Sequence, residues 1–414
     1  MIKHSATLAV NEKISALRAA GKPVLHLGFG EAGLPVLPEI GAELASAAGQ
    51  NAYGPVVGSA SARASVAGYF TRRDLPTDPE QAILAPGSKA LLYAALAALP
   101  GDLVLPTPSW VTYAAQAALV GKRVIGVPVP GEAGGVPDPA LLEPALAAAR
   151  REGADPKLLV LTLPDNPTGT AAGADLVKAV CEIADRHGLV IISDEIYRDL
   201  TYVPEAHLSP ASLLPERTIV TGGLSKSTAL GGWRVGFARM PAGELGRSTT
   251  ERIVGIASEI WSSLAMPMQA AAEFVLSEPT SVTDHVAACR RLHAAVSSAV
   301  HSALVEAGAE CRTPSAAFYV YPDFEQLRPE LTSAGIRTGA ELADALLDNH
   351  GVGVLAGEHF GDTPSAYRFR VASSLLYGET EDQRWQALRS ENPVELPWIA
   401  DALDRLRTAL RSLV

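Results

Sequence analysis

Cysteine is scarce in this 414-residue chain: only Cys181, Cys289 and Cys311 occur, widely spaced and without the close pairs that hold a metal. An odd, scattered set argues against a disulfide framework and reads as reduced core thiols, and no metal site is expected. Basic charge is also short. The 34 Lys and Arg residues are outnumbered by 45 Asp and Glu, giving a formal net charge of −11, which argues against a surface that wraps the phosphates of nucleic acid. Long apolar runs are missing. The longest, Ala90 to Leu99, is cut by Pro100, far short of the ~20 residues of a membrane span. The first residues, Met1 to Lys13, carry no apolar core of a secretory signal, so a cytoplasmic location is expected. Charge itself is modest at 19% against 48% hydrophobic residues, which excludes a disordered chain and leaves ample material for a core.

What is present is an alternation. Short apolar runs at 82–85, 103–105, 123–129, 158–163, 189–193, 218–221 and 235–238 read as strands. Longer Ala- and Leu-rich patterns such as 89–99, 139–151 and 175–187 read as helices between them. Continuous apolar strands separated by helices predict an α/β fold, with a mostly parallel seven-stranded sheet flanked by helices. Ligands bind at the C-terminal strand ends of such sheets. From 242 to 304 the pattern is helical, with breaks near Pro267 and Pro279. Beyond it, strands at 317–321, 352–355 and 367–373 with helices at 339–349 and 397–413 predict a smaller α+β unit.

Lysine is rarer than arginine: eight occur and none follows Lys226. Lys226 comes just after an apolar run, in a glycine- and serine-rich turn. Most lysines simply point at water, but one held at a strand end and desolvated can lose its proton and form a Schiff base. Arg234, eight residues on and flanked by glycines, suits a phosphate. Asp194 ends the buried run 189–193; it is either a helix cap or the partner of a cationic ligand atom. Tyr197 follows three residues later. Asn166 sits in the turn Leu163-Pro164-Asp165-Asn166-Pro167, either an ordinary turn or, with a cis Asn-Pro bond, an amide fixed toward the strand ends. Gly87, Ser88 and Lys89 open a helix and offer either a plain cap or a phosphate cradle. Trp110 is a core aromatic or a plate for a planar ring. Arg370 alternates with apolar residues; it faces solvent or, turned inward, binds a carboxylate. Together these groups match one ligand, the planar, phosphorylated, cationic pyridine aldehyde pyridoxal 5′-phosphate.

The run Gly223-Leu224-Ser225-Lys226-Ser227-Thr228-Ala229-Leu230-Gly231-Gly232-Trp233-Arg234-Val235-Gly236 resembles the lysine signature of the class I/II, fold-type I pyridoxal-phosphate aminotransferases, in particular their bacterial aspartate-aminotransferase-like branch. Ser5-Ala6-Thr7-Leu8-Ala9-Val10 looks like that family's N-terminal arm, Leu27-Gly28-Phe29-Gly30-Glu31 like its first substrate loop, Asn51-Ala52-Tyr53-Gly54 like its tyrosine segment, and Ala317-Phe318-Tyr319 and Phe369-Arg370-Val371 like its small-domain motifs. The resemblance implies that Lys226 forms the Schiff base and shuttles a proton, that Asp194 pairs with the ring nitrogen, and that Asn166 and Tyr197 bond the ring oxygen. It implies that Gly87, Ser88, Lys89 and Arg234 surround the phosphate with Ser225 alongside, and that Trp110 stacks on the ring. Gly30, Trp110, Asn166 and Arg370 would hold the substrate, the arginine on its α-carboxylate. Tyr53 would reach the phosphate of a neighbouring subunit, making a homodimer with shared sites. The implied division is an N-terminal arm and part of the small domain in 1–45, a large cofactor-binding domain in 46–290 and a small domain in 291–414.

The sequence departs from the pattern in places. Gly30-Glu31-Ala32-Gly33-Leu34 replaces a common Gly-Glu-Pro-Asp-Phe, Gly223 replaces a hydroxyl residue, and 377–397 reads as an insertion. Lys89 with Thr7 favours a dicarboxylic donor such as glutamate or aspartate, whereas Trp261, Leu264 and Met266, in the loop before Pro267 that the resemblance gives to the partner subunit's site, favour an apolar partner. The expected activity is transfer of an amino group between an L-amino acid and a 2-oxo acid by a ping-pong route. The alternative is another reaction on the same fold: C–S β-elimination, decarboxylation or cyclopropane formation.

Overall fold

The computed structural model describes residues 6–413. Its centre is a seven-stranded sheet. In chain order the strands are β1 (Ala82–Pro86), β2 (Asp102–Thr107), β3 (Val124–Pro128), β4 (Pro156–Thr162), β5 (Val190–Asp194), β6 (Thr218–Gly223) and β7 (Val235–Arg239). They lie side by side as β1-β7-β6-β5-β4-β2-β3. Only β7 runs antiparallel to its neighbours. β5 to β7 are buried along nearly their whole length, as sheets covered by helices on both faces require. The apolar residues of β2, β4 and β5 enter two clusters on opposite faces, one around Leu91, Leu103 and Ile192, the other around Leu142, Leu159 and Ile191.

Strand register brings the polar strand ends into line. Thr162 is level with Asp194, and Asp194 with Thr221. Because β7 returns antiparallel, its first residue lies beside the last of β1, Pro86 opposite Val235, and Gly223 lies opposite Gly236. Arg234 is thereby carried to the same edge as Gly87 and Ser88.

Pro267 and Pro279 do not kink helices. The first lies in the opening turn of the helix Met266–Ser277, and the second is the N-cap of the 27-residue helix Thr280–Glu306, positions where a missing N–H costs nothing. The second unit holds β8 (Tyr319–Val320), β9 (Leu355–Ala356) and β10 (Phe369–Ala372), antiparallel in the order β8-β10-β9. The expected strand 352–355 is two: Val352–Gly353 pairs with Leu25–His26 near the N-terminus, and only the residues from Leu355 join β10. One core cluster therefore joins Leu25, Leu27 and Leu34 to residues from Cys289 onward. Within 377–397 the chain forms the helix Glu381–Arg389, opened by a Thr380/Gln383 capping box. Its Ala387 and Leu388 are buried in that cluster. Among the described residues no helix is long and apolar enough to cross a membrane.

Candidate active site

Two cavities stand out, and their charges separate them. The larger, about 650 Å³, contains Arg72, Arg73, Arg198, Asp199 and Glu278. These groups already satisfy one another or near neighbours: Arg73 reaches Asp199 at 2.9 Å and Glu278 at 2.5 Å, and Arg198 reaches Glu195 at 2.9 Å. The second, about 540 Å³, lies at the C-terminal ends of β4, β5 and β6. Its walls include Lys226, Asp194 and Arg370, none of them in an ion pair with an opposite charge among the described residues.

Lys226 follows β6 and turns back into this second cavity. Its Nζ donates to the Gly30 carbonyl at 2.5 Å and lies 5.8 Å from the Tyr197 ring centre. Burial, with the Arg370 guanidinium as the next cause, pulls the amine down to about 8. Asp194 ends β5 and is 2% exposed. Tyr113 donates to one carboxylate oxygen at 2.8 Å and Thr221 to the other at 3.1 Å. The Ile196 backbone N–H also donates, and burial outweighs all three donors, pushing the carboxyl up to about 6.

Arg370 enters from β10. It is 1% exposed and donates to Asn166 Oδ1 at 3.0 Å and to the Gly28 carbonyl at 2.9 Å. Its Nε is buried without a partner. Asn166 turns its Nδ2 toward the Tyr197 hydroxyl at 3.5 Å. The cis bonds here are Thr107–Pro108 and Leu163–Pro164, so of the two alternatives for Asn166–Pro167 the structure shows the trans bond. At the opposite end Gly87 caps the helix Ser88–Ala98 with φ 87°. A Cβ on Gly87 would run into the Arg234 guanidinium, and one on Gly236 into the Ser88 amide, so both glycines keep this corner open. Arg234 itself holds φ 56° and bonds the Gly231 carbonyl at 2.9 Å. Ser225 also lines the cavity. Lys89 sits 5.1 Å from the Trp110 ring centre, and burial with the nearby Arg234 charge lowers its amine.

A buried amine, a carboxylate lacking a cation and a guanidinium with a free edge thus share one hollow beside an open helix N-terminus. A family model for aminotransferase class I and II matches residues 22–375. The chain belongs to the class I and II aminotransferases. It is 33% identical over 396 residues to the aspartate aminotransferase of Geobacillus stearothermophilus, covering 92% of this chain and 95% of that one. It is 34% identical over 386 residues to an aspartate/prephenate aminotransferase of Cereibacter sphaeroides, covering 90% and 92%. Among solved structures, the aspartate aminotransferase of Thermus thermophilus with maleate superposes with a TM-score of 0.83 at 27% identity, covering 99% of this chain and 97% of that one.

In this aminotransferase the expected cofactor and substrate residues converge on the cavity, with two exceptions. Gly87 caps the helix beside it without lining it, and Tyr53, 94% exposed, stands apart. Leu264, expected on a loop facing the partner subunit's site, is 2% exposed in the single chain and belongs to the core cluster of Leu37 and Val66. Ser5 and the Thr7 side chain lie outside the described residues. Three contributors escaped the sequence reading, Tyr113, Thr162 and Thr221, and Tyr319 entered it only as part of a small-domain motif, without a role. Thr162 and Thr221 had a signal, as polar residues closing apolar strands level with Asp194. Tyr113 had none, because it reaches Asp194 from a helix 81 positions away.

Proposed function

We propose that this chain moves an amino group between an L-amino acid and a 2-oxo acid by a ping-pong route, with pyridoxal 5′-phosphate as cofactor and a dicarboxylic donor such as glutamate or aspartate. The observation that carries the reading is Asp194. A carboxylate this buried, bonded to two hydroxyls and the Ile196 backbone N–H and paired with no cation, is costly when ionised, and a cationic ring nitrogen is the partner it lacks. The glycine-lined corner at Gly87 and Arg234 fits a phosphate in the same way.

Lys226 would hold the cofactor covalently, Asp194 its ring nitrogen, and Tyr197 and Asn166 its ring oxygen. Gly87, Ser88, Lys89, Ser225 and Arg234 would hold its phosphate, and Trp110 would stack on its ring. When bound, the cofactor supplies a protonated ring that stabilises negative charge at the substrate Cα. Lys226, already below the usual lysine range at about 8, is the base that takes and returns the Cα proton. Arg370 binds the α-carboxylate through its free edge, a charge-assisted pairing strengthened by burial, with Gly30 and Asn166 beside it. The Lys89 ammonium, with no carboxylate partner among the described residues of the cavity, supports recognition of a second substrate carboxylate. Tyr53, exposed on the single chain, supports a homodimer in which it covers the partner's phosphate. The proposed grouping of the N-terminal residues with the small domain is supported by the core cluster that joins Leu25, Leu27 and Leu34 to the C-terminal residues; the divisions at 45/46 and 290/291 themselves fall inside the helices Pro38–Ser46 and Thr280–Glu306.

The test is a half-reaction screen. Each amino acid is added singly to the cofactor-loaded protein and the visible absorbance is followed. Conversion with glutamate or aspartate, reversed by a 2-oxo acid, is expected. Release of ammonia and pyruvate with no acceptor present would instead mark an elimination enzyme.

A further inference from the structure

Tyr319 carries a hydroxyl that none of these roles uses. Its side chain is fully buried on β8. Tyr319 Oη lies 2.8 Å from Tyr197 Oη. The substrate loop makes room for it: a Cβ on Gly30 would run into this hydroxyl. On its other side the Arg370 guanidinium lies 4.8 Å from the Tyr319 ring centre. One phenol therefore touches the group assigned to the cofactor's ring oxygen, the loop that receives Lys226, and the carboxylate anchor.

Counting protons fixes the direction of the bond. A phenol has one proton to donate. If Tyr197 gives its proton to the cofactor, its own oxygen can only accept, and Tyr319 must be the donor. Asn166 Nδ2, at 3.5 Å, is at the limit of a hydrogen bond, so Tyr319 is the principal donor. A hydroxyl that accepts a hydrogen bond polarises and donates more strongly. The Arg370 charge over the Tyr319 ring makes that phenol the more willing donor.

We propose that Tyr319 is a positioning residue that donates to Tyr197 and thereby strengthens Tyr197's hold on the cofactor's ring oxygen, lowering the proton affinity of the nitrogen that joins Lys226 to the cofactor. The proposal rests on the roles given above to Tyr197 and Lys226.

The experiment titrates the visible absorbance band of the pyridoxal-phosphate-loaded protein against pH. The set is wild type, Tyr319→Phe, Tyr197→Phe and the double variant. Tyr319→Phe should raise the midpoint by about half a unit to one unit, the worth of one neutral hydrogen bond. In the Tyr197→Phe background the same change should have no effect, since a residue acting through Tyr197 loses its route. Replacing Tyr319 by a ring-fluorinated tyrosine keeps the packing, makes the phenol a better donor and should move the midpoint down. That third arm decides between the outcomes even if Tyr319→Phe folds poorly. An unmoved midpoint in Tyr319→Phe overturns the proposal, as does an equal shift with and without Tyr197. If wild type develops no visible band with added pyridoxal phosphate, the cofactor assignment falls and takes this proposal with it, a result distinct from a band that ignores Tyr319.

Discussion

Tyr113 donates its phenolic proton to Asp194 at 2.8 Å, and the carboxylate forms no ion pair among the described residues. Two hydroxyl donors and the Ile196 backbone N–H do not offset the cost of burial there, so the protein without cofactor holds a carboxyl displaced from its usual range, up to about 6.

That displacement makes stability depend on pH. The folded-state value lies above the unfolded one of 3.8. Stability from this group is therefore fully present below about pH 4 and is lost as pH rises through about 6. The loss above pH 6 amounts to about 3 kcal/mol, at roughly 1.4 kcal/mol per unit. Replacing Asp194 by Asn removes the ionisation. Cofactor-free Asp194→Asn should be more stable than wild type at pH 8 by an amount of that order and equal to it near pH 4. Urea unfolding at the two pH values checks it, and an identical difference at both would refute the account. Cofactor affinity should fall in the same variant.

Much of this geometry was legible before any coordinates. Lys226, Asp194 and Arg234 each follow or precede an apolar run, so hydrophobic patterning alone put them at strand ends. Register then made them neighbours, and no local pattern encodes register. Tyr113 shows why: its hydroxyl reaches Asp194 across a helix–sheet contact, while from the sequence it is one more aromatic on an apolar helix. Leu264 erred in the other direction. Its place in the loop before Pro267 suggested a wall of the partner subunit's pocket, whereas the chain folds it into the core around Leu37. The split of 352–355 into two short strands likewise depends on the distant segment Leu25–His26.

Lys226→Ala should remove turnover by at least about a thousandfold, since nucleophile and base are lost together. The wild-type protein with pyridoxal phosphate should be yellow, and borohydride should fix the cofactor to this one lysine, as peptide mass analysis would detect. The variant should still bind cofactor, releasing all of it on dialysis. Retention of near-normal activity in Lys226→Ala would leave the assigned role without support.

Arg370→Ala should raise KM about ten- to a hundredfold for every amino acid and 2-oxo acid alike, the range expected for a charge-assisted hydrogen bond. Arg370→Lys should recover only part of this, because an ammonium cannot reproduce the planar fork. The guanidinium also contributes to holding the Lys226 amine down to about 8. In Arg370→Ala that amine should shift upward, moving the acid side of the pH–rate profile to higher pH with it, because the base must be unprotonated to act. A loss confined to dicarboxylic substrates would assign Arg370 to the side-chain carboxylate instead.

Tyr53 gives a test of assembly that a single site cannot imitate. Its ring is 94% exposed on one chain, which is unusual for an aromatic of this size. If it completes the partner's site, Lys226→Ala and Tyr53→Ala chains are each defective, but in different halves of the shared site. Unfolded together and refolded, half of the dimers would be mixed, and each mixed dimer would hold one intact site. Activity should therefore return to about a quarter of the wild-type level, as isologous two-fold assembly requires. Refolding either variant alone should return none. No recovery on mixing, with dimers present by sedimentation, would place Tyr53 outside the neighbouring site.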